Sequence, residues 1–263
     1  MPPSLFRVAA IILRGSRSSP HHAMLASRPF FLALTALVIL ATLAAARLLH
    51  VVVRTHNYPR KRRATDEASL AVFLGSGGHT AEMMRLVAHL DWRRFSRRVW
   101  IISSGDSLSE AKALQLERRI ASGEFRILRI PRARRVHQSY LTSPLTTLYS
   151  FAYCLWHIAL SPLFCPRQVF ADLVLLNGPG SCVPITCAAF LPRLVTLPSP
   201  ALVYIESLAR TRRLSLSARL VRPLVDRFFV QWESLRDELV AREGSVEGRW
   251  RLRARVECQG WLV

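Results

Sequence analysis

Four short stretches of this chain group residues able to hold a phosphate or move a proton. The first is Gly75-Ser76-Gly77-Gly78-His79. It lies between an apolar run, Leu70 to Leu74, and a helical pattern carrying Met83, Met84, Leu86, Val87 and Leu90. Strand, glycine turn and helix together let backbone N–H groups at a helix start face an anion. His79 adds a group able to donate to a phosphate or to take a proton from a hydroxyl. The stretch is neither common nucleotide fingerprint. It lacks the Lys-Ser/Thr of a P-loop, Thr80 stands where a dinucleotide motif needs its third glycine, and no acid follows ~20 residues on at a strand end. A plain strand-to-helix turn, with His79 capping or packing, fits the same pattern.

Asn177-Gly178-Pro179-Gly180 repeats the theme at a second strand end, with Ser181 placed to cap the next helix. Two such turns can face one ligand, or simply be turns. Ile130-Pro-Arg-Ala-Arg-Arg-Val-His-Gln-Ser139 places Arg132, Arg134 and Gln138 together. Arginine forks take phosphate oxygens two at a time, so a diphosphate is the natural ligand; a solvated basic loop is the plainer reading. Glu206 ends a fifth apolar run, Leu202 to Ile205. It is placed either to bind a sugar hydroxyl or act as a base, or to pair with Arg210, Arg212 or Arg213.

These groups need elements to position them. Strands are expected at Leu70–Leu74, Val99–Ser103, Phe125–Ile130, Leu173–Leu176, Leu202–Ile205 and Phe228–Val230. Helices are expected between them, including Ser107–Ala121, an almost wholly apolar Leu145–Ser161, Cys182–Leu191, Leu216–Val225 and Glu233–Ala241. The alternation predicts an α/β domain with a Rossmann-like, mostly parallel sheet covered on both faces. Ligands bind such sheets past the C-terminal strand ends, where all four groups fall. The apolar helix after the arginine loop is either a core helix or an interfacial element dipping into a membrane.

Before this domain comes an apolar run from Phe30 to Ala46, broken only by Thr35 and Thr42 and extended by Leu48 to Val53 past Arg47 and His50. From Pro29 to Val53 a helix would rise ~37 Å, enough for the ~30 Å hydrocarbon core of a bilayer. The expected organisation is a basic segment over 1–28, a transmembrane anchor over 29–53, a basic linker over 54–69 and the Rossmann-like domain over 70–263. Met24 offers an internal start that would leave residues 1–23 outside the mature fold. Arg54 and Arg60-Lys61-Arg62-Arg63 follow the span, so positive-inside counting favours a cytosolic C-terminal domain. The formal charge of +20 suits anionic partners such as phospholipid headgroups or pyrophosphates. Nucleic acid is not the expected partner, because the arginines do not alternate with aromatics. Five cysteines without a CxxC pair suggest neither a metal site nor a disulfide framework. No metal or other cofactor is expected.

Taken together, five segments resemble one family. They are Phe73-Leu-Gly-Ser-Gly-Gly-His-Thr-Ala-Glu-Met83, Ile130-Pro-Arg-x-Arg-x-Val-x-Gln-Ser139, Leu176-Asn-Gly-Pro-Gly-Ser-Cys-Val-Pro184, Tyr204-Ile-Glu-Ser207 and Leu214-Ser-Leu-Ser217. In order and spacing they look like the membrane-anchoring subunit of the dolichyl-diphosphate N-acetylglucosamine transferase, the N-terminal half of a split GT-B glycosyltransferase. The resemblance covers residues 70–263. It implies a soluble catalytic subunit that supplies the other half and most of the UDP-GlcNAc site. It further implies a dolichyl-diphosphate-linked acceptor and a single-pass location in the endoplasmic reticulum membrane. The activity implied is addition of the second GlcNAc, with inversion, by the complex and not by this chain alone. Trp232 and the terminal Gly260-Trp261-Leu262-Val263 look like the family's closing segments and are implied to meet the partner. Two stretches depart from the family: the lengthened 1–28 and an arginine-rich, poorly patterned Arg242–Arg255, which is broken by Gly244 and Gly248 and matches no segment of the family.

On this reading Gly75, Ser76, Gly77 and Gly78, with Asn177, Gly178 and Gly180, form the acceptor-side wall. Arg132, Arg134 and Gln138 hold the diphosphate, and His79 or Glu206 positions or deprotonates the acceptor hydroxyl, unless the partner supplies that base. A self-sufficient membrane-anchored transferase or nucleotide-binding reductase, and a non-enzymatic basic scaffold for lipid, remain open from sequence alone.

Overall fold

A computed structural model of the chain describes residues 20–57, 67–134, 138–139, 141–164, 170–243 and 252–260. Two units are present, divided between Leu48 and Leu49. The first contains most of helix α1, Pro20–Asn57, of which Phe31–Thr55 is long and apolar enough to cross a membrane. Along that stretch Leu32, Leu37, Leu40 and Leu43 are largely exposed. A soluble surface rarely shows so continuous an apolar face, whereas hydrocarbon accepts it. The helix runs past both ends of the expected 29–53 span, and the basic cluster at Arg60 to Arg63 lies outside the described residues.

The second unit is built on seven parallel strands: β1 Ser69–Leu74, β2 Arg97–Ser103, β3 Glu124–Ile130, β4 Leu173–Asn177, β5 Ala201–Ile205, β6 Arg227–Val230 and β7 Val256–Cys258. Their order is β3-β2-β1-β4-β5-β6-β7. The first six follow the doubly wound order, which reverses direction between β1 and β4 and opens a crevice there.

The central strands β1 and β4 read as solid apolar runs because both faces are covered, whereas the edge strand β3 is exposed over its first three residues. In β1, Leu70, Val72 and Leu74 face a cluster with Met83 and Val87 of α2 (Gly78–Ala88) and Ala113 of α3 (Ser107–Ile120). Ala71 and Phe73 face the opposite cluster. That cluster is filled by Cys154 of α4 (Ser143–Cys154), Ile185 and Ala188 of α5 (Cys182–Phe190), Ala218 of α6 (Leu216–Val221) and Leu235 of α7 (Glu233–Glu243). Each fully buried Val, Leu, Ile, Phe or Met among them contributes about 1.5–3 kcal/mol.

Two expected helices are corrected. The helix expected over Leu145–Ser161 is α-helical only to Cys154, then π-helical over Leu155–Leu160 and 3-10 over Ser161–Phe164. Pro162 has no N–H and its ring clashes with the carbonyl four residues back, so the ordinary ladder cannot run through it. Pro223 likewise ends α6 at Val221, short of the expected Val225. Of Arg242–Arg255, the stretch unmatched to the family, residues 244–251 lie outside the described residues. The start of the stretch completes α7, and its end leads into β7, pairing Phe228, Phe229 and Val230 with Val256, Glu257 and Cys258. Ala254 is buried and exchanges hydrogen bonds with Arg222 through both backbone groups (3.2 and 2.9 Å).

Candidate active site

The crevice between β1 and β4 brings the two glycine turns into contact. At Gly75 a Cβ would sit well inside 3.0 Å of the Pro179 ring, so only glycine lets the turns close on each other. Gly178 has φ +98°, and a Cβ there would collide with the His79 imidazole. The ring therefore lies against bare backbone. Ser76 is half-buried, while Gly77 and Gly78 face open space and begin α2 without a capping side chain. The N–H groups of that first turn have no intrahelical partners and are available to an anion.

His79 is held on two sides. Its Nδ1 lies 3.1 Å from Asn177 Oδ1 and 3.8 Å from Glu82 Oε2. Asn177 Oδ1 accepts in this contact, which pairs it with an N–H at Nδ1 and turns Nε2 away from Asn177. The His79 side chain is 34% exposed, leaving one edge of the ring open to the crevice. Asn177 is fully buried, and its Nδ2 has no hydrogen-bond partner. A buried orphan donor costs about 1–3 kcal/mol, which favours a site that receives an acceptor atom from a ligand.

The second turn is fixed from beneath. Gly178 O accepts from Ser217 Oγ (2.9 Å) and Tyr204 OH (3.3 Å). Ser215 Oγ accepts from Ala218 N (3.1 Å) and caps α6. The Leu214-Ser-Leu-Ser217 segment thus braces the turn. Ser181, expected to cap α5, makes no such bond; its Oγ accepts from Ala133 N (3.2 Å) instead. That bond ties the arginine loop to the second glycine turn.

Further anchors set the loop's shape. Thr146 and Thr147 donate to Ala133 O (2.7 and 3.1 Å), and Ser150 donates to Pro131 O (2.7 Å). Arg134 donates through Nε and Nη2 to Gln138 O (3.1 and 2.8 Å), and Gln138 Nε2 donates to Thr142 and Thr146 (3.2 and 3.1 Å). Arg132 is half-buried and, among the described residues, meets no carboxylate. His137 lies outside the described residues.

Glu206 does not stand open to the crevice. It is 1% exposed, and its carboxylate oxygens accept from Ser207 N (3.0 Å) and Ser215 N (2.9 Å). Burial pushes its carboxyl above the ordinary value, against the pull of those N–H groups and of Arg210. The expected pairing with the following arginines is replaced by a grip on the 207–215 loop. With both oxygens so engaged, the geometry does not suit a base.

The network overlooked in the sequence centres on Glu82. Its buried Oε1 accepts from Leu208 N and from Gln231 Nε2 (2.7 Å), while Gln231 also donates to Glu206 O (3.1 Å). This links α2 to the ends of β5 and β6. The available signal was position: Glu82 follows His79 by three residues, on the same helix face. Trp232 Nε1 donates to Leu208 O (2.7 Å), and the ring is half-buried on the core. Gly260 has φ +79°, whereas Trp261, Leu262 and Val263 lie outside the described residues. Among the described residues no three His, Cys, Asp or Glu side chains come together to hold a metal.

Residues 70–245 match the family described as "Oligosaccharide biosynthesis protein Alg14 like". A Candida albicans protein named UDP-N-acetylglucosamine transferase subunit ALG14 is 46% identical over 176 residues, 67% of this chain and 76% of its own. Proteins of the same name from Schizosaccharomyces pombe and Rattus norvegicus are 37% and 38% identical. Those alignments cover 77% and 76% of this chain and 91% and 92% of theirs.

Proposed function

Because the chain belongs to the Alg14-like family of oligosaccharide biosynthesis proteins, we propose that it is the membrane anchor and acceptor-side subunit of a UDP-N-acetylglucosamine transferase. Its partner is a soluble catalytic subunit that carries most of the UDP-GlcNAc site. The acceptor is GlcNAc-diphosphodolichol, the location the endoplasmic reticulum membrane, and the second unit faces the cytosol. The basic residues after the apolar span support that orientation.

The observation that carries this reading is the junction of the two glycine turns at His79, at the reversal point of the sheet. Free N–H groups at Gly77 and Gly78, with Arg132 and Arg134, hold the acceptor diphosphate. The acceptor 4-hydroxyl attacks C1 of the donor GlcNAc from the face opposite UDP. The C1–O bond breaks, its electrons leave with UDP, and the hydroxyl proton passes to His79 Nε2. Asn177 and Gly178 fix the ring and so orient that nitrogen. Glu206 and Glu82 serve indirectly, by fixing the loop and helix that frame the ring.

The test is purification of the full chain from membranes with its partner, then assay with UDP-GlcNAc and a GlcNAc-diphospholipid. The complex transfers GlcNAc and this chain alone does not. Turnover by the chain alone, or none by the complex, overturns the reading. In the complex, Arg132→Ala with Arg134→Ala raises the acceptor KM by about tenfold or more, the worth of one charged hydrogen bond. An unchanged KM removes the diphosphate role.

A further inference from the structure

Beside the second glycine turn lies a groove of about 730 Å³, between α4, α5 and α6. Leu148 and Phe151 line one side, Val183 and Pro184 another, and Leu216 and Leu220 a third. Arg134 and Arg210, both exposed, also line it, as does Gly180 of the second glycine turn. An apolar trough with cationic groups at its rim is complementary to one kind of molecule, an amphiphile with an anionic head and a hydrocarbon chain. Its volume lies within the range of small-ligand sites.

Resting on the acceptor role argued above, we propose that this groove holds the first isoprene units of the acceptor, so that the subunit grips the lipid chain and not only its diphosphate. Gly180 belongs to the turn assigned to the diphosphate, and Arg134 to the loop assigned to the same group. A chain leaving that diphosphate enters the groove directly. The helices that line it also carry exposed apolar side chains: Leu145, Leu148 and Tyr149 on α4, and Leu216 and Leu220 on α6. A groove of this size takes a few five-carbon units and leaves the rest of a long chain to run out along that surface into the bilayer. A sugar nucleotide has no hydrocarbon to fill it.

The experiment uses the detergent-solubilised complex of the full chain with its catalytic partner. The probes are GlcNAc-diphosphates carrying one, two, three or four isoprene units. Burial of hydrocarbon makes the acceptor KM fall by about tenfold or more with the added units and then level off. Val183→Trp and Leu220→Trp, which fill the groove, raise the KM ratio of the four-unit to the one-unit acceptor by about tenfold. A KM independent of chain length, or variants that raise both values equally, overturns the proposal. A photoreactive four-unit isoprenyl diphosphate gives a readout apart from turnover. Labelling falls on α4, α5 and α6, and labelling confined to α1 overturns the proposal. Absence of transfer to every acceptor defeats the functional reading instead, and the photolabel then decides the groove by itself.

Discussion

Gly178→Ala probes the junction on which the mechanism depends. The φ of +98° costs an alanine about 1–2 kcal/mol. The new methyl would also fall well inside 3.0 Å of the His79 ring, where ordinary contact begins near 3.4 Å. The ring must move, and its bond to Asn177 is lost, adding about 1 kcal/mol. Together these predict a loss of about 2–3 kcal/mol, a fall in Tm of about 4–12 °C for a domain of this size. The effect on turnover is larger, because displacing a reacting group by about 1 Å costs about a hundredfold. The assay compares kcat in the purified complex for Gly178→Ala, His79→Ala and the double variant. If Gly178 acts through His79, the double variant is no slower than the slower single one. Fully multiplicative losses, or Gly178→Ala within threefold of the unaltered complex, would refute the reasoning.

Three further outcomes are expected. Glu117 accepts from Arg98 (2.6–3.1 Å) and from Trp100 Nε1 (2.6 Å), and both ion-pair side chains are 2% exposed. Glu117→Ala leaves a buried arginine unpaired and costs about 3–5 kcal/mol, read as a lower Tm with expression at risk. Glu206 has its pKa raised above 4.5 by burial, so the folded state holds its proton more tightly than the unfolded state. Its contribution to stability is most favourable at low pH and is lost as pH rises from about 4.5 through the raised value. The Tm of Glu206→Gln relative to the unaltered chain therefore improves as pH rises, and a pH-independent difference would contradict this. Burial pushes the Cys154 thiol up to about 12 and Cys182 well above its ordinary value. At pH 8, iodoacetamide should alkylate the half-buried Cys258 well before either, as peptide mapping would show.

Much of the architecture could be read from local pattern. The apolar runs ending at Leu74, Ser103, Ile130, Ile205 and Val230 became strands within two residues of expectation, because a sheet covered on both faces needs such runs. The span near Phe31 was equally plain, since length and hydropathy are local properties. Prolines at 162 and 223 were visible, but not that the chain would turn π-helical from Leu155, well before the first, and end its helix at Val221, before the second. The three-residue β7 was illegible because its evidence is its pairing with β6, distant in sequence.

The candidate site divides along the same line. Sequence alone determined that two glycine turns, an arginine loop and a strand-end glutamate would gather at one edge of a parallel sheet, since strand order and residue type suffice for that. Only the tertiary structure decided which groups touch. Gly75 meets Pro179, Gly178 lies under His79, and Ser181 holds Ala133 instead of capping its own helix. It also turned Glu206 inward onto Ser207 and Ser215, and brought Glu82, a motif residue with no role assigned from sequence, to Gln231 and Leu208. Hydrogen bonds between residues a hundred positions apart leave no periodic trace in a chain, because distance and direction, not residue type, select the partner.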